Sequence, residues 1–589
     1  MNEQIHDRER GGSGGVTRDI LVLTLTCALI FFVHQSRFDY IETEGLRALV
    51  AYEMVERGGP SMPTVHHRSY VNKPPLYAWT TSLLARELGR FDEQVARLPS
   101  AICATLLVLG LYGAGRRWGG VSVGRAAAAF ALANVTVLDY GFRAELDMPF
   151  TFFVALMFML VYVALTRTGG VSFAAWIGAY TAATAAAMWK APHSLIFMWL
   201  GLLTYARAHR RWRWMIAPGQ LVGLAGSMTV LTAWLLAVLK FAGGRRVGTA
   251  AGSEIVHRLA PGLADLLQVP LFPLIVAVVG LPGTLFVIAS AAEVATGEAS
   301  ASSSSVLKRF AAAVRRWWSA AAADPRAEFL LLMLVPNLIF LAIAPAKSAR
   351  YTLPLFPLLF LLAAHLMMRS RPSSADGSAP ATVERSITAA LHGLWVFILG
   401  VGAAALVAGT ILVVRPQLRI GEVSLGPAES WFILGAACLV AGGFYAVTRR
   451  SSDARASVIG LVLVAAGCKP VMSEVWWEAR EKSDSQREAA ARIDAVVPEG
   501  EPVFVLGRQE FPDTALYSRR AFYWIEAPSE CRPHTKAAKP YFLMRESELI
   551  GDRPGEPNFK EAAGYVERLR FERIDREVIV FQLDVDSGE

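Results

Sequence analysis

Long apolar runs constrain this chain more than any other feature of its sequence. Stretches of roughly 17 to 25 residues, enough to cross a bilayer as helix, begin near residues 18, 98, 121, 148, 171, 193, 219, 269, 327, 353, 389, 428 and 455. A water-soluble domain cannot hide that much apolar length, and the composition agrees. Of 589 residues, 54% are hydrophobic and only 18% charged, with a mean hydropathy of +0.38. The expected fold class is an α-helical polytopic membrane protein with about 13 transmembrane helices. The formal net charge of +8 does not point to nucleic acid, because the arginines gather at the ends of apolar runs, where topology alone explains them.

Sidedness follows from the same clusters. Residues 1–17 form a polar, glycine-rich tail, and the first apolar run ends in His34, Gln35, Ser36 and Arg37 without a small-residue cleavage site. An uncleaved first span with a cytoplasmic N-terminus is therefore expected. Alternating sides from there puts the basic groups at 116–125, 207–213, 308–316, 369–371 and 449–455 all inside. The alanine-rich runs near 121 and 171 and the last run are the weakest spans. Residues 299–323, serine-rich and then basic with Trp317 and Trp318, read as a cytoplasmic loop carrying an interfacial helix.

Hydropathy falls after about residue 472. Strand-like segments at 502–506, 541–544 and 577–583 alternate with helical pattern at 485–496 and 559–569, so residues 472–589 are expected to form a small α/β domain outside the membrane. The preceding part, 18–471, is the transmembrane domain, and it includes an external loop at 36–97. Of the five cysteines only Cys531 lies in the soluble part, so no intrachain disulfide is expected.

That first loop is far longer than a connection between neighbouring spans requires. Its pattern is an amphipathic helix over 44–57, a turn at Gly58, Gly59 and Pro60, an extended part ending at Tyr70, and a second helix opened by Lys73, Pro74, Pro75 and Leu76. Free amides at a helix start, with a lysine immediately before them, suit a phosphate. The competing reading of Glu42 and Glu44 is a solvated helix face, and that of Lys73 a headgroup contact.

Three further polar groups fall on the same external side by the alternation. Arg143, Glu145 and Asp147 sit directly before the fourth span, where ionisable residues are costly and tend to be functional, although Arg143 and Asp147 could simply pair with each other. Lys347, Arg350 and Tyr351 follow the ninth span, where cations run against the positive-inside trend. Glu254, His257 and Arg258 form a weaker set in a loop that also reads as merely solvated. His66 and His67 are adjacent, so they would not share one metal from a single helix or strand face.

Taken together, Glu44-Gly-Leu-Arg-Ala, Tyr52-Glu53-Met54, Pro63, Tyr70, Lys73-Pro74-Pro75-Leu76 and Trp79 resemble the first-loop signature of the bacterial GT-C glycosyltransferases related to lipid A aminoarabinose transferase and to protein O-mannosyltransferases. Leu146-Asp147-Met148 resembles their second acidic loop, and Arg350-Tyr351-Thr352-Leu353-Pro354 their polar stretch before the tenth span. The resemblance covers roughly residues 1–360. It implies an integral glycosyltransferase of the inner (plasma) membrane, with a polyprenyl-phosphate-linked sugar as donor, an extracytoplasmic hydroxyl as acceptor and inversion at the anomeric carbon. On that reading Glu44 and Asp147 are catalytic, Lys73, Arg350 and Arg258 bind the donor phosphate, and Tyr70, Tyr351, Glu42 and Arg143 contact substrate. Thr43 stands where the aminoarabinose enzymes have an acidic residue. Asn72 stands where they carry a glutamate associated with a metal, so no cofactor is assigned and a divalent ion stays open. The other partners implied are membrane lipids. The alternatives are a flippase or transporter for lipid-linked sugar or polysaccharide, and a scaffold acting through its C-terminal domain. Against the first stand the patterned loop and the lack of an internal repeat.

Overall fold

A computed structural model describes residues 13–244, 269–296, 306–344, 348–369, 381–415, 419–420, 423–424, 428–448, 464, 467, 471, 485–506, 511–549, 558–572 and 577–585. The membrane part opens with α1 (Ser13–Phe31), after which the first loop folds as α2 (Glu44–Glu56), a two-residue hairpin of β1 (Thr64–Val65) and β2 (Arg68–Ser69), and α3 (Leu76–Leu88). This is the expected loop pattern. Gly58 and Gly59 take φ of 86° and 134°, a turn backbone that side-chain-bearing residues rarely adopt.

The bundle continues through α4 (Glu93–Gly119), α5 (Val121–Leu132), α6 (Val135–Phe142), α7 (Asp147–Thr166), α8 (Gly169–Trp189), α9 (His193–Ala208) and α10 (Pro218–Ala242). It then runs through α11 (Phe272–Val279), α12 (Gly283–Thr296), α13 (Val306–Ala322), α14 (Pro325–Ile343), α15 (Phe356–Arg369), α16 (Ala381–Val414) and α17 (Ala428–Thr448). Among the described residues α4, α7, α8, α10 and α14 are long and apolar enough to cross a membrane, and α5 with α6 makes a sixth if the bent pair counts as one span. The chain is thus a multi-pass membrane protein. The run near 455 lies outside the described residues apart from isolated positions.

The third apolar run is broken, and the eighth carries a break of its own. Helices α5 and α6 meet at 66° around Asn134, whose Oδ1 accepts from the Val137 amide at 3.0 Å and so caps α6. Its Nδ2 donates to the carbonyls of Val279 and Leu281 at 2.7 and 2.6 Å. Those carbonyls lie at the break between α11 and α12, so one side chain satisfies backbone groups that two interruptions would leave bare in an apolar interior. Helices α4 and α5 pack almost backbone to backbone. A Cβ on Gly124 would lie 2.4 Å from the Tyr112 carbonyl oxygen, and one on Gly115 would lie 2.8 Å from the Gly124 Cα.

The C-terminal part holds α18 (Gln486–Val496), β5 (Val503–Leu506), α19 (Pro512–Tyr517), β6 (Phe522–Ile525), β7 (Tyr541–Arg545), β8 (Val566–Glu572) and β9 (Glu577–Gln582). Its sheet has the order β6-β5-β7-β9-β8, with the first three strands parallel and the last two antiparallel to their neighbours. The helix expected over 559–569 is not there: a short 3-10 turn at Phe559–Glu561 leads into β8. A register shift between Glu567 and Leu569 breaks the two-residue alternation, so Val566 and Leu569 are spaced as on a helix.

Replacing Gly124 with Leu would force α4 and α5 apart and should cost about 1–3 kcal/mol, read as a lowered melting temperature of the detergent-purified protein; an unchanged melting temperature would refute the close packing.

Candidate active site

Glu44 begins α2, and its carboxylate turns inward rather than toward solvent. Arg97, one turn into α4, grips it with both arms of the guanidinium: Nε to Oε1 at 3.0 Å and Nη2 to Oε2 at 2.9 Å. Both side chains are 0% exposed. The same carboxylate accepts from the Ile41 amide at 3.0 Å and the Ala144 amide at 2.6 Å. Arg97 also donates to the carbonyls of Gln35, Phe38 and Asp39, the last two at 3.1 and 2.9 Å. One buried pair therefore joins the exit of α1, the start of α2, the start of α4 and the loop before α7. Burial, the largest single influence on Glu44, favours its protonated form. The charge and hydrogen bonds of Arg97, with Arg143 and the Ala144 amide, outweigh it and hold the carboxyl below its ordinary value of 4.5.

Around this pair lies a second layer of charge. Arg143 does not pair with Asp147, as its position allowed, but with Glu42 at 2.6 Å and Asp139 at 3.4 Å. Glu42 has a positive φ of 53° and is 41% exposed, whereas Arg143 is 1% exposed. Glu145 is buried and accepts from the Thr43 hydroxyl. Burial raises the Glu145 carboxyl above its ordinary value, with Arg47 and Arg143 acting against that rise. Thr43, noted above as a departure from the acidic residue of the aminoarabinose enzymes, thus satisfies a buried acid.

Asp147 is the first residue of α7 and forms an ion pair with Lys190, at the end of α8; the two side chains are 3% and 7% exposed. The Lys190 ammonium also lies 5.0 Å from the Tyr351 ring centre and 5.8 Å from that of Phe150. Arg350 stacks over Tyr351 at 5.5 Å. Its burial opposes charge, but Asp147, Tyr351 and Glu145 together raise its pKa above the ordinary value. The Arg350 Nε is buried without a hydrogen-bond partner among the described residues. Arg47, on α2, donates to the Tyr70 hydroxyl at 2.6 Å, and Glu145 and Asp147 are among the charges acting on it. Arg47 and Tyr70 share one small cleft with Lys73, Pro74, Pro75 and Leu146, where α3 begins with Pro75 as its N-cap.

The structure therefore brings Glu42, Glu44, Tyr70, Lys73, Arg143, Asp147, Arg350 and Tyr351 to one end of the bundle. Arg258, with Glu254, His257 and Lys347, lies outside the described residues. His66 and His67 face the C-terminal part, with rings 6.1 Å from Phe522 and 4.7 Å from Tyr523. Among the described residues no group of three or more His, Cys, Asp or Glu side chains is arranged to hold a metal. Sequence reading missed Lys190, Arg97 and the roles of Arg47 and Glu145. Lys190 carried a legible signal, a lone lysine ending an apolar run on the side where cations are disfavoured.

The C-terminal part closes over the first loop. Arg487 pairs with Asp39 at 2.7 Å and with Glu93, and the Tyr517 hydroxyl donates to Glu93 at 2.9 Å and accepts from the Tyr40 amide at 3.1 Å. Gly45 is required beneath it, because a Cβ there would fall 1.4 Å from Asp513 Oδ1.

Removing Glu44 as Glu44→Ala would leave Arg97 buried and uncompensated and should cost about 3–5 kcal/mol, read as a lowered melting temperature. Because the folded Glu44 carboxyl titrates below 4.5, its contribution is complete above that value and is lost as pH falls through the folded pKa. The gap in melting temperature between wild type and Glu44→Ala should accordingly narrow on acidification below pH 4.5 and stay constant above it; a gap that widens would contradict the assignment.

Residues 72–237 match the family model described as dolichyl-phosphate-mannose-protein mannosyltransferase. No curated protein matches the sequence significantly. Among solved structures, ArnT from Cupriavidus metallidurans bound to undecaprenyl phosphate superposes with a TM-score of 0.66 at 16% identity, covering 97% of this chain and 99% of that one. Its apo state gives 0.64 at 16% identity, with 96% and 98% covered. The chain thus has the ArnT fold over nearly its whole length and resembles the GT-C glycosyltransferases of the ArnT and protein-mannosyltransferase kind.

Proposed function

We propose that this protein is an integral membrane glycosyltransferase that moves a sugar from a polyprenyl-phosphate donor to a hydroxyl acceptor on the external face, with inversion. The observation that carries this reading is the meeting of Asp147, Lys190, Arg350, Arg47 and Lys73 at one end of a helical bundle, in a chain with the ArnT fold. A lipid phosphate needs cations that reach it at the membrane surface, and these side chains come from α2, the start of α3, α7, α8 and the segment after α14.

In this reading Lys73, Arg350 and Lys190, with Arg47, neutralise the phosphate that departs when the glycosidic bond breaks, so no general acid is required. The unpartnered Arg350 Nε is a donor available to a phosphate oxygen. Asp147 is the carboxylate that orients or deprotonates the acceptor hydroxyl; its Oδ1 meets Lys190. Glu44, expected to share that role, is assigned here to positioning, because both oxygens are held by Arg97 and shut from solvent. Tyr70 and Tyr351 line the pocket, and the partly exposed Glu42 at its rim holds the buried Arg143. The C-terminal part, residues 472–589, sits outside the membrane above the loop, where it helps frame the entry of the acceptor. The contacts between Arg487, Asp39 and Glu93 support that placement. A transporter reading draws no support from this arrangement.

In membranes supplied with a labelled polyprenyl-phosphate sugar and native envelope acceptors, Asp147→Asn should lower transfer by roughly 100-fold or more at normal expression. Arg350→Gln should mainly raise the KM for donor. Wild-type transfer by Asp147→Asn would sink the catalytic assignment.

A further inference from the structure

A second charged feature lies at the opposite end of the bundle, about 30 Å away along the length of α7. There the last turn of α4, the end of α7, the beginning of α8 and the beginning of α14 surround a cleft of about 450 Å3. Its floor is aromatic: Trp118 lies 4.5 Å from Tyr162 between ring centres, and both contact Phe329 at 6.3 and 5.1 Å. Its rim carries Arg117, Arg167 and Arg326, and one wall carries Val171, 59% exposed.

Arginines at this end of the bundle are expected on topological grounds, so their presence alone signifies little. Their pairing is more telling. Arg125, at the same end, is held by Asp19 with two hydrogen bonds of 2.8 Å. Among the described residues Arg117, Arg167 and Arg326 have no carboxylate partner for their guanidinium groups. Three like charges around one concavity repel each other unless an anion joins them. The exposed Val171 and the aromatic floor give the same concavity an apolar side suited to acyl chains.

We propose that this cleft binds the phosphate headgroup of an anionic glycerophospholipid, in the leaflet opposite the charge cluster at Asp147. The phosphodiester sits among Arg117, Arg167 and Arg326, which can donate to it in pairs, and the acyl chains descend along Val171. Such a lipid screens the three arginines and ties α4, α7, α8 and α14 together at the end remote from the site. The inference does not depend on which reaction the other end performs.

The test uses the full-length protein, delipidated in detergent and titrated with phosphatidylglycerol or phosphatidylcholine in mixed micelles, with bound lipid counted by native mass spectrometry. Wild type should retain phosphatidylglycerol in preference to phosphatidylcholine, and inorganic phosphate should not displace it. The triple variant Arg117→Gln, Arg167→Gln, Arg326→Gln should bind it roughly tenfold or more weakly, from the loss of three charges near a lipid surface. Arg167→Gln alone, at an exposed position, should weaken binding about fivefold and serves if the triple variant does not fold. A control pair at the same end, Arg207→Gln with Arg210→Gln, should bind as wild type. Unchanged retention by the arginine variants overturns the proposal, as does an equal loss in the control pair. Displacement by inorganic phosphate also overturns it, because the ligand is then a soluble anion.

Discussion

The ion pair between Glu44 and Arg97 is the interaction on which the loop-bearing end of the bundle depends. Each charge alone would be expensive in a fully buried position, several kcal/mol even after relaxation. The expense is offset by the number of hydrogen bonds the two groups collect: two between themselves, two from the Ile41 and Ala144 amides, and three to the carbonyls of Gln35, Phe38 and Asp39. Those partners belong to segments far apart in sequence. Irregular backbone near a membrane needs its amides and carbonyls satisfied from within the protein, and this pair supplies five such bonds at one point. The loop after α1 is therefore fixed to α4 and to the segment before α7, and Asp147 inherits a defined position from that segment.

From this anchor the rest of the site follows outward. Thr43 and Glu145, one residue from Glu44 and from Ala144, are brought into contact, and Arg47, on the next turn of α2, comes within the influence of Glu145 and Asp147. Lys190 and Arg350 then arrive from α8 and from the segment after α14. Acids and cations alternate through the cluster, so that each buried charge has an opposite neighbour, while the Arg350 Nε has no hydrogen-bond partner among the described residues. A phosphate entering such a field meets donors already oriented, which is the arrangement that lowers the cost of a charged leaving group.

Much of this was legible in the sequence, and the exceptions have physical causes. The first loop could be read almost residue by residue because its signals are local: Gly58 and Gly59 for a turn, Pro74 and Pro75 for a helix entry. The alternation of spans placed Asp147 and Arg350 on one side, and the structure brings them together with Lys190, which the same alternation puts there. Partner choice was not legible. Arg143 lies four residues from both Asp139 and Asp147, and only the rotation of α6 sends it to Asp139 and Glu42. The buried state of Glu44 was hidden too, since an acidic residue at the start of an amphipathic helix reads as a solvated cap until Arg97 is known to face it. In the C-terminal part, the register shift in β8 disguised a strand as a helix. The ArnT fold accounts for the layout of the membrane part.

The central claim is that the charge cluster organised by Glu44 and Arg97 receives the phosphate of a polyprenyl-phosphate lipid. An experimental structure of the protein with a polyprenyl phosphate bound tests it most directly. The account places the phosphate oxygens within hydrogen-bonding distance of Lys190, Arg350 or Lys73 and beside Asp147, with the Glu44–Arg97 pair intact and untouched by ligand. A phosphate resting elsewhere on the bundle, or a ligand that separates Glu44 from Arg97 to reach the carboxylate, would contradict it.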